Sequence, residues 1–156
     1  MQIRKAEVKD VQPILNLLHQ VLELHAAIRP DIFISGTTKY TENELNGIFT
    51  DPSRRTYVAV DENNAVVGYV FCEIKEHLHS GNIVPHTELY IDDLCVDSSA
   101  RGRQIGKQLF RYAQETARQT GCAVVTLNVW TGNDGARAFY EKMGMRPRST
   151  KMEITI

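Results

Sequence analysis

Basic residues and glycines gather where a β-rich segment gives way to a helical one. Arg101, Arg103 and Lys107 supply positive charge there, while Gly102 and Gly106 leave the backbone open to close approach by a ligand. The first N–H groups of a helix have no intrahelical partners and carry the positive end of the helix dipole. The sequence therefore predicts a site for an anion, such as a phosphate group, at this helix N-terminus.

Two common phosphate-binding loops do not fit the spacing of these residues. The glycines and Lys107 fall one residue short of a P-loop, and Gln108 stands where a magnesium-binding hydroxyl is required. Gln104 and Lys107 also occupy positions that a dinucleotide-binding fingerprint gives to glycine. Neither a P-loop nor a dinucleotide-binding loop is predicted.

The loop instead resembles the pyrophosphate loop of the GNAT superfamily of acetyl-CoA-dependent N-acyltransferases. The family pattern is Gln or Arg, two residues, Gly, one residue, then Gly or Ala. In this chain it reads Arg101, Gly102, Arg103, Gln104, Ile105, Gly106. Gln104 replaces one of the two pattern glycines; it keeps its backbone N–H and either narrows the loop or adds an amide contact.

A second motif, later in the chain, is similar to the closing motif of the same family. After Asn133, Ala136 is followed by Phe139-Tyr140 and then by Gly144 with an apolar neighbour. Two motifs in the expected order are more specific than either one alone. The resemblance implies an α/β fold in one domain over residues 1–156: a mixed, mostly antiparallel sheet, splayed between strands 87–96 and 122–130 and flanked by about four helices.

Hydrophobic periodicity predicts the same order of elements independently of the family name. Thr41 and Glu44 have capping-box spacing, and the almost wholly apolar run 122–130 is typical of a central strand. The predicted strands are 2–7, 56–61, 65–75, 87–96, 122–130 and 148–156. The predicted helices run from Asp10 through His25, from Thr41 to Phe49, over 104–120 and over 136–142.

Length and composition are those of an ordinary globular protein. The 156 residues are 42% hydrophobic and 24% charged, enough for one core. A net charge of −1 gives no overall field for nucleic acid or an anionic membrane, so neither partner is predicted. No apolar run approaches the ~20 residues of a membrane helix, and the N-terminus has no hydrophobic signal region. A cytoplasmic protein is therefore expected.

By resemblance, the protein transfers an acetyl group from acetyl-CoA directly to a primary amine in a ternary complex. The pantetheine arm enters the gap beside the 94–96 backbone, where an N–H stabilises the oxyanion. Tyr140 protonates the leaving thiolate, and Asn133 binds the pantetheine amide or simply caps its helix. The implied cofactor-binding residues are Leu94, Cys95, Val96, Arg101, Gly102, Arg103, Gln104, Ile105, Gly106, Lys107, Asn133 and Tyr140.

The acceptor amine must lose a proton before it attacks, because an alkylamine has a pKa of about 10.4. Asp92 and Asp93 are neighbours on a strand, so alternation predicts that only one of them faces the cleft. In family members that act on polyamines an acidic residue matches Asp92. Asp92 is therefore the first candidate for the base or amine-binding carboxylate, with Glu88 second. A bulge or a salt-bridged pair of aspartates is the alternative.

Several other residues carry weaker signals. Cys95 lacks a neighbouring histidine that would make it a nucleophile, and it is expected with Cys72 and Cys122 as a buried free thiol. His77 and His79 share a strand face but lack a third ligand, so no metal site is predicted. The segment that roofs the acceptor site in this fold contributes specificity candidates by location: His25, Asp31, Phe33 and Tyr40.

The acceptor itself cannot be read from these motifs. Acidic residues near the cleft favour a small cationic molecule, while a protein or peptide N-terminus stays open. A homodimer is compatible with the resemblance. The alternative from another class is a non-catalytic acyl-CoA-binding sensor or partner-binding module, for which the replacement of a loop glycine by Gln104 is the main argument.

Overall fold

One five-stranded sheet, with helices on both faces, organises the computed structural model, which describes residues 1–156. The strands lie in the order of the sequence, and every neighbouring pair is antiparallel except β4 and β5. The elements are β1 (Gln2–Lys5), α1 (Val11–Ile28), α2 (Glu42–Thr50), β2 (Arg54–Val60), β3 (Val66–His77), β4 (His86–Val96), α3 (Ile105–Gln119), β5 (Val124–Leu127) and α4 (Asp134–Lys142), with short 3₁₀ turns at Val8–Asp10 and Ser98–Ala100.

The sheet separates two hydrophobic cores, one under each layer of helices. α1 and α2 pack on one face, where Leu18, Leu45 and Phe71 are buried. α3 packs on the other face through Leu109 and its neighbours one helical turn apart. Tyr112 lies at the edge of this core, where its ring packs against Tyr57 and is 40% exposed. The α/β fold class predicted from the sequence is confirmed.

β4 and β5 pair over only part of their lengths. The parallel register joins Glu88 to Val124 and ends where Ile91 meets Leu127. β5 stops there, shorter than the predicted strand over 122–130, while β4 continues to Val96 along β3. The second half of β4 therefore has an open edge, and the two strands are splayed as expected.

A β-bulge interrupts β4 at the start of this open edge. Phe71 on β3 lies opposite Asp93 and the next residue, Cys72, lies opposite Ile91, so Asp92 is the extra residue. The prediction that Asp92 and Asp93 point to opposite faces is wrong for this reason. The bulge breaks the alternation, and both carboxylates reach side chains of the α1 and α2 core.

The predicted last strand over 148–156 is absent. Residues 146–156 form no sheet pairing and are exposed, with Met152, Ile154 and Ile156 retaining 87%, 87% and 115% of their accessible surface. Their alternating apolar pattern favours a half-buried strand, but the segment pairs with no strand, although the outer edge of β5 has no neighbour in the sheet. Glu153 holds the arm by an ion pair with Arg29, at 2.6 Å.

Asp10 stands at the start of α1 as predicted, but its side chain does not cap the helix. The carboxylate instead accepts a bidentate pair of bonds from Arg4, at 2.7 and 2.8 Å, and one from the Glu7 N–H. Among the helices, none combines the length and the apolar character that crossing a bilayer would require.

Candidate active site

The loop before α3 has the geometry of an open anion site. Gly102 and Gln104 both adopt left-handed backbone conformations, with φ of 79° and 61°. No side chain caps α3, and its first turn contains no acidic residue. The N–H groups at the start of the helix therefore point out of the fold without a protein carboxylate to occupy them. Arg101 and Arg103 are exposed beside them.

Gly106 brings the two sequence motifs together. A Cβ built at this position would lie 3.5 Å from the ring of Phe139 and 3.6 Å from a methyl group of Val96. The loop, the last residue of β4 and the aromatic pair of α4 thus meet at one place, at the open edge of the sheet. Ile105 is buried beneath them and anchors the start of α3.

Tyr140 lies on α4, which begins with a capping residue and packs on α3. Asn133 Oδ1 accepts a hydrogen bond from the Ala136 N–H at 3.2 Å, so the capping role expected for it is present. The Tyr140 ring packs against Phe139 and Phe110, with centroids 5.0 and 5.9 Å away. Burial, with added repulsion from Asp93 and Cys95, raises the pKa of the Tyr140 phenol. The hydroxyl therefore holds its proton at neutral pH more firmly than a free phenol does.

Asp93 is a titratable group that sequence reasoning set aside. Burial raises the pKa of its carboxyl to about 6, with Asp92 acting in the same direction. Lys39, the hydroxyl of Tyr69 and the Leu94 N–H oppose that rise; the Tyr69 hydroxyl donates to the carboxylate at 2.9 Å. A carboxyl with this pKa changes charge close to the working range of most enzymes. Two consecutive aspartates in an apolar strand were the available signal.

Asp92 is already engaged by its own chain. The Tyr40 hydroxyl donates to one carboxylate oxygen at 2.5 Å, and the Lys39 ammonium lies 2.8 Å from the other. The Asp92 side chain is 15% exposed, against 39% for Lys39. Burial and the bond to Asp92 raise the pKa of the Tyr40 phenol. An ammonium group thus already occupies the place that an acceptor amine would take beside Asp92.

The segment before α2 covers the gap between β4 and β5. The Phe33 ring makes an edge contact with Trp130 just after β5, with centroids 5.0 Å apart, and it lies 5.1 Å from the His25 ring. Tyr40, at the other end of the segment, packs on Phe71 and reaches β4. Burial and nearby Lys39 lower the pKa of His25, so that ring is neutral at neutral pH. Asp31, by contrast, pairs with Arg29 at the surface.

Glu88 does not join this group of residues. It is buried on the part of β4 that pairs with β5, and Asp93 lies on the order of 15 Å further along the strand. Its carboxylate has only long contacts, with His77 Nε2 and Arg148 Nη1, both at 3.4 Å.

Cys95 is buried in the α1 and α2 core. Its thiol points at the Leu17 carbonyl, 3.7 Å away, and burial raises the pKa of the thiol to about 12. A thiol that holds its proton this strongly is a poor nucleophile. Leu94 and Val96 pack on the opposite core, so the backbone of these three residues, rather than their side chains, faces the open edge of β4.

A surface cavity of the fold lies apart from this site. Its volume is about 590 Å³, it lies between β1, α1 and the turn after β2, and Arg4, Asp10 and Asn64 are in its lining. None of the residues predicted to bind the cofactor or to react lines it. The splayed strands form a groove that is open at its edge.

Comparison with known proteins places this geometry in a family. The model of the Acetyltransferase (GNAT) family matches residues 18–145. The aminoalkylphosphonate N-acetyltransferase of Salmonella typhimurium is 28% identical over 147 residues, which cover 88% of this chain and 89% of that protein. The glucosamine 6-phosphate N-acetyltransferase of Arabidopsis thaliana is 36% identical over 63 residues, 40% of each chain. A mutant of the BH1408 protein from Bacillus halodurans superposes with a TM-score of 0.96 at 29% identity, covering 100% of this chain and 99% of that one.

Proposed function

The chain belongs to the GNAT family and is an acetyl-CoA-dependent N-acetyltransferase, and from that premise we propose that it acetylates the primary amine of a small molecule by direct transfer in a ternary complex. Residues 1–156 act in this proposal as one catalytic domain. The observation that carries it is the contact of Gly106 with Val96 and Phe139, which puts the anion loop, the open strand edge and the Tyr140 helix side by side.

The cofactor is proposed to bind along the loop and the open edge of β4. Its pyrophosphate accepts from the N–H groups at the start of α3, with Arg101, Arg103 and Lys107 adding charge. The pantetheine arm lies in the gap beyond Ile91, where β4 has backbone groups that β5 does not use. A backbone N–H within 94–96 polarises the thioester carbonyl, and Asn133 binds a pantetheine amide through the donor side of its amide group.

In the proposed transfer step, β4 supplies the base and the N–H group that stabilises the oxyanion, and α4 supplies the acid. The amine nitrogen attacks the thioester carbon, and the tetrahedral oxyanion is held by the β4 backbone. Asp92 binds the acceptor ammonium in place of Lys39, and Asp93 accepts its proton through water. When the C–S bond breaks, Tyr140 donates its proton to the departing thiolate. The second proton of the nitrogen, released as the amide forms, passes through water and restores the phenol. The products are the acetylated amine and free CoA.

A small acceptor is favoured by the closed roof of the site and by the relatives. Phe33, Trp130 and Tyr40 cover the gap, which leaves little space for a folded protein surface. The two relatives are named for an aminoalkylphosphonate and for glucosamine 6-phosphate. We therefore propose two classes of acceptor: amines that also carry a phosphorus oxyanion, and polyamines and other cationic amines. A peptide N-terminus is the less favoured alternative.

The test is release of CoA from acetyl-CoA across a panel that holds these three acceptor classes in parallel, with Tyr140→Phe as the inactive control. Turnover with a small amine, and its loss in the variant, supports the proposal. Turnover with peptides alone overturns the small acceptor. Saturable acetyl-CoA binding without release on any amine favours the sensor, for which the occupation of Asp92 by Lys39 is the structural argument.

We also propose a homodimer formed through the C-terminal arm. The arm has a strand-like pattern but no strand partner, and the outer edge of β5 has no neighbour in the sheet. If each arm pairs with β5 of the other copy, the arm gains a strand partner and the β5 edge gains a neighbour. Two-fold symmetry allows both copies to do so at once. Light scattering should then report a dimer that Ile154→Lys converts to a monomer; a monomeric parent protein would refute this arrangement.

A further inference from the structure

Three metal-ligating side chains meet at the end of the β3–β4 hairpin, away from the proposed transfer site. Ligand atoms of His77, His86 and Glu88 all lie within 4.8 Å of one another. His77 and His86 are the last paired residues of the two strands, and their rings stack with centroids 4.8 Å apart. Glu88 follows His86 by two residues on β4 and so projects from the same face.

The tautomer of His86 is set by its backbone contact. Its Nδ1 lies 2.8 Å from the Val84 carbonyl oxygen. A carbonyl can only accept, so Nδ1 carries a proton and donates it. Nε2 is then the ring nitrogen left to ligate a metal ion. A backbone carbonyl that orients one ring nitrogen so that the other can ligate is a usual feature of metal-binding histidines.

Glu88 is the buried member of the cluster, and its charge is poorly compensated. Only 8% of its surface is accessible, and its two side-chain contacts, with His77 Nε2 and the Arg148 guanidinium, are both as long as 3.4 Å. A buried carboxylate with long contacts is expensive, because it loses hydration without gaining strong bonds. A bound cation would supply that compensation at a distance of about 2.0–2.2 Å.

We propose that His77, His86 and Glu88 bind one divalent transition-metal ion, of which Zn²⁺ is the reference. Two imidazole nitrogens and one carboxylate oxygen form a donor set suited to this ion, and they leave a coordination position for water or a ligand. Ligand bonds of about 2.1 Å put ligand atoms roughly 3.4 Å apart, so small side-chain rotations close the cluster. This site replaces the pairing of His77 with His79 that the sequence had considered.

The site is tested on the full chain, freed of any affinity tag and treated with EDTA before titration with ZnCl₂. Calorimetry should give one site per chain, and Co²⁺ should produce a visible absorption band that Zn²⁺ abolishes. His77→Gln and His86→Gln should each weaken affinity by at least about 100-fold, beyond the loss usual for an outer-shell partner. His79→Gln is the matched control, since this exposed histidine stands outside the cluster. Its affinity should equal that of the parent protein.

A variant that is expected to bind Zn²⁺ more tightly distinguishes loss of the site from loss of folding. Arg148→Gln removes the cation that competes for Glu88 while all three ligands stay, so Zn²⁺ affinity should rise. At Zn²⁺ concentrations 100 times the dissociation constant, the melting temperature of the parent should increase by roughly 5–10 °C, and that of His86→Gln should not. The site is overturned if the parent fails to saturate at millimolar Zn²⁺, if His77→Gln and His86→Gln bind Zn²⁺ as tightly as the parent, or if Arg148→Gln binds it more weakly.

Discussion

Restoring the glycine at position 104 tests the loop that is proposed to bind the cofactor. Gln104 has φ of 61° and ψ of 15°, and a left-handed conformation costs an L-residue about 1–2 kcal/mol. Glycine avoids that cost but loses about 0.5–1 kcal/mol more conformational entropy on folding. Gln104→Gly should therefore raise the free energy of unfolding by up to roughly 1.5 kcal/mol, which corresponds to a melting temperature higher by a few degrees.

Two matched variants separate backbone strain from the amide group. Gln104→Ala removes the amide but keeps a side chain in the left-handed conformation, so it should not share the gain in stability. Gly102→Ala makes the reverse change at φ of 79°, where a Cβ meets no atom within 4 Å. Its expected loss of about 1 kcal/mol comes from conformation alone.

Urea unfolding and acetyl-CoA titration of the four proteins are the assays. Affinity for acetyl-CoA should change little in Gln104→Gly and Gln104→Ala, because the proposed phosphate contacts come from backbone N–H groups. Equal stabilisation by the glycine and alanine variants would refute the assignment of strain. A large drop in affinity in both Gln104→Gly and Gln104→Ala would show that the amide, and not the backbone, holds the cofactor.

Four further predictions concern the groups proposed to react. Because the Asp93 pKa of about 6 lies above its ordinary value of 3.8, kcat/KM should fall as pH drops through 6, and Asp93→Asn should abolish that limb. The same raised pKa means that ionised Asp93 destabilises the fold as pH rises through 6, so Asp93→Asn should be more stable than the parent at pH 8, by roughly 1–3 kcal/mol, in urea unfolding; equal stability would contradict the shift. Tyr140→Phe should lower kcat by roughly 100-fold or more with little change in the KM for acetyl-CoA, and an unchanged kcat removes Tyr140 as the acid. Lys39→Ala frees Asp92 and should lower the KM for the amine, whereas an unchanged KM argues against acceptor binding at Asp92.

The parts of the fold that follow from local sequence were predicted well. The capping box of Thr41 and Glu44 is formed, and α3 starts and ends within a residue of its predicted bounds. These signals work because each depends on groups only a few residues apart. The order of the two family motifs then gave the sheet and its splay.

Features that depend on pairing between distant residues were not predicted. The bulge at Asp92 is a property of the register between β3 and β4, and the partner of His77 is His86, the residue that this register places across from it. The sequence offered His79 instead, because periodicity within one strand is visible and the pairing of two strands is not. The prediction of the last strand failed for the same reason, since the strand pattern of residues 148–156 does not show whether that segment pairs with β5.

The bulge lets one strand present both of the carboxylates that are proposed to react and the backbone that is proposed to hold the oxyanion. Leu89 and Ile91 before the bulge face the α3 core, and so do Leu94 and Val96 after it. The alternation of side chains is therefore shifted by one residue at the bulge. If Asp92 were paired regularly instead of bulged, alternation would continue from Ile91. Asp93 and Cys95 would then face the α3 core, and Leu94 and Val96 would face α1. β5 also stops pairing at Ile91, immediately before the bulge. The loss of that partner frees the backbone of residues 94–96 beside the two carboxylates, so strand geometry, more than the identity of any one acidic residue, defines where the amine and the thioester can meet.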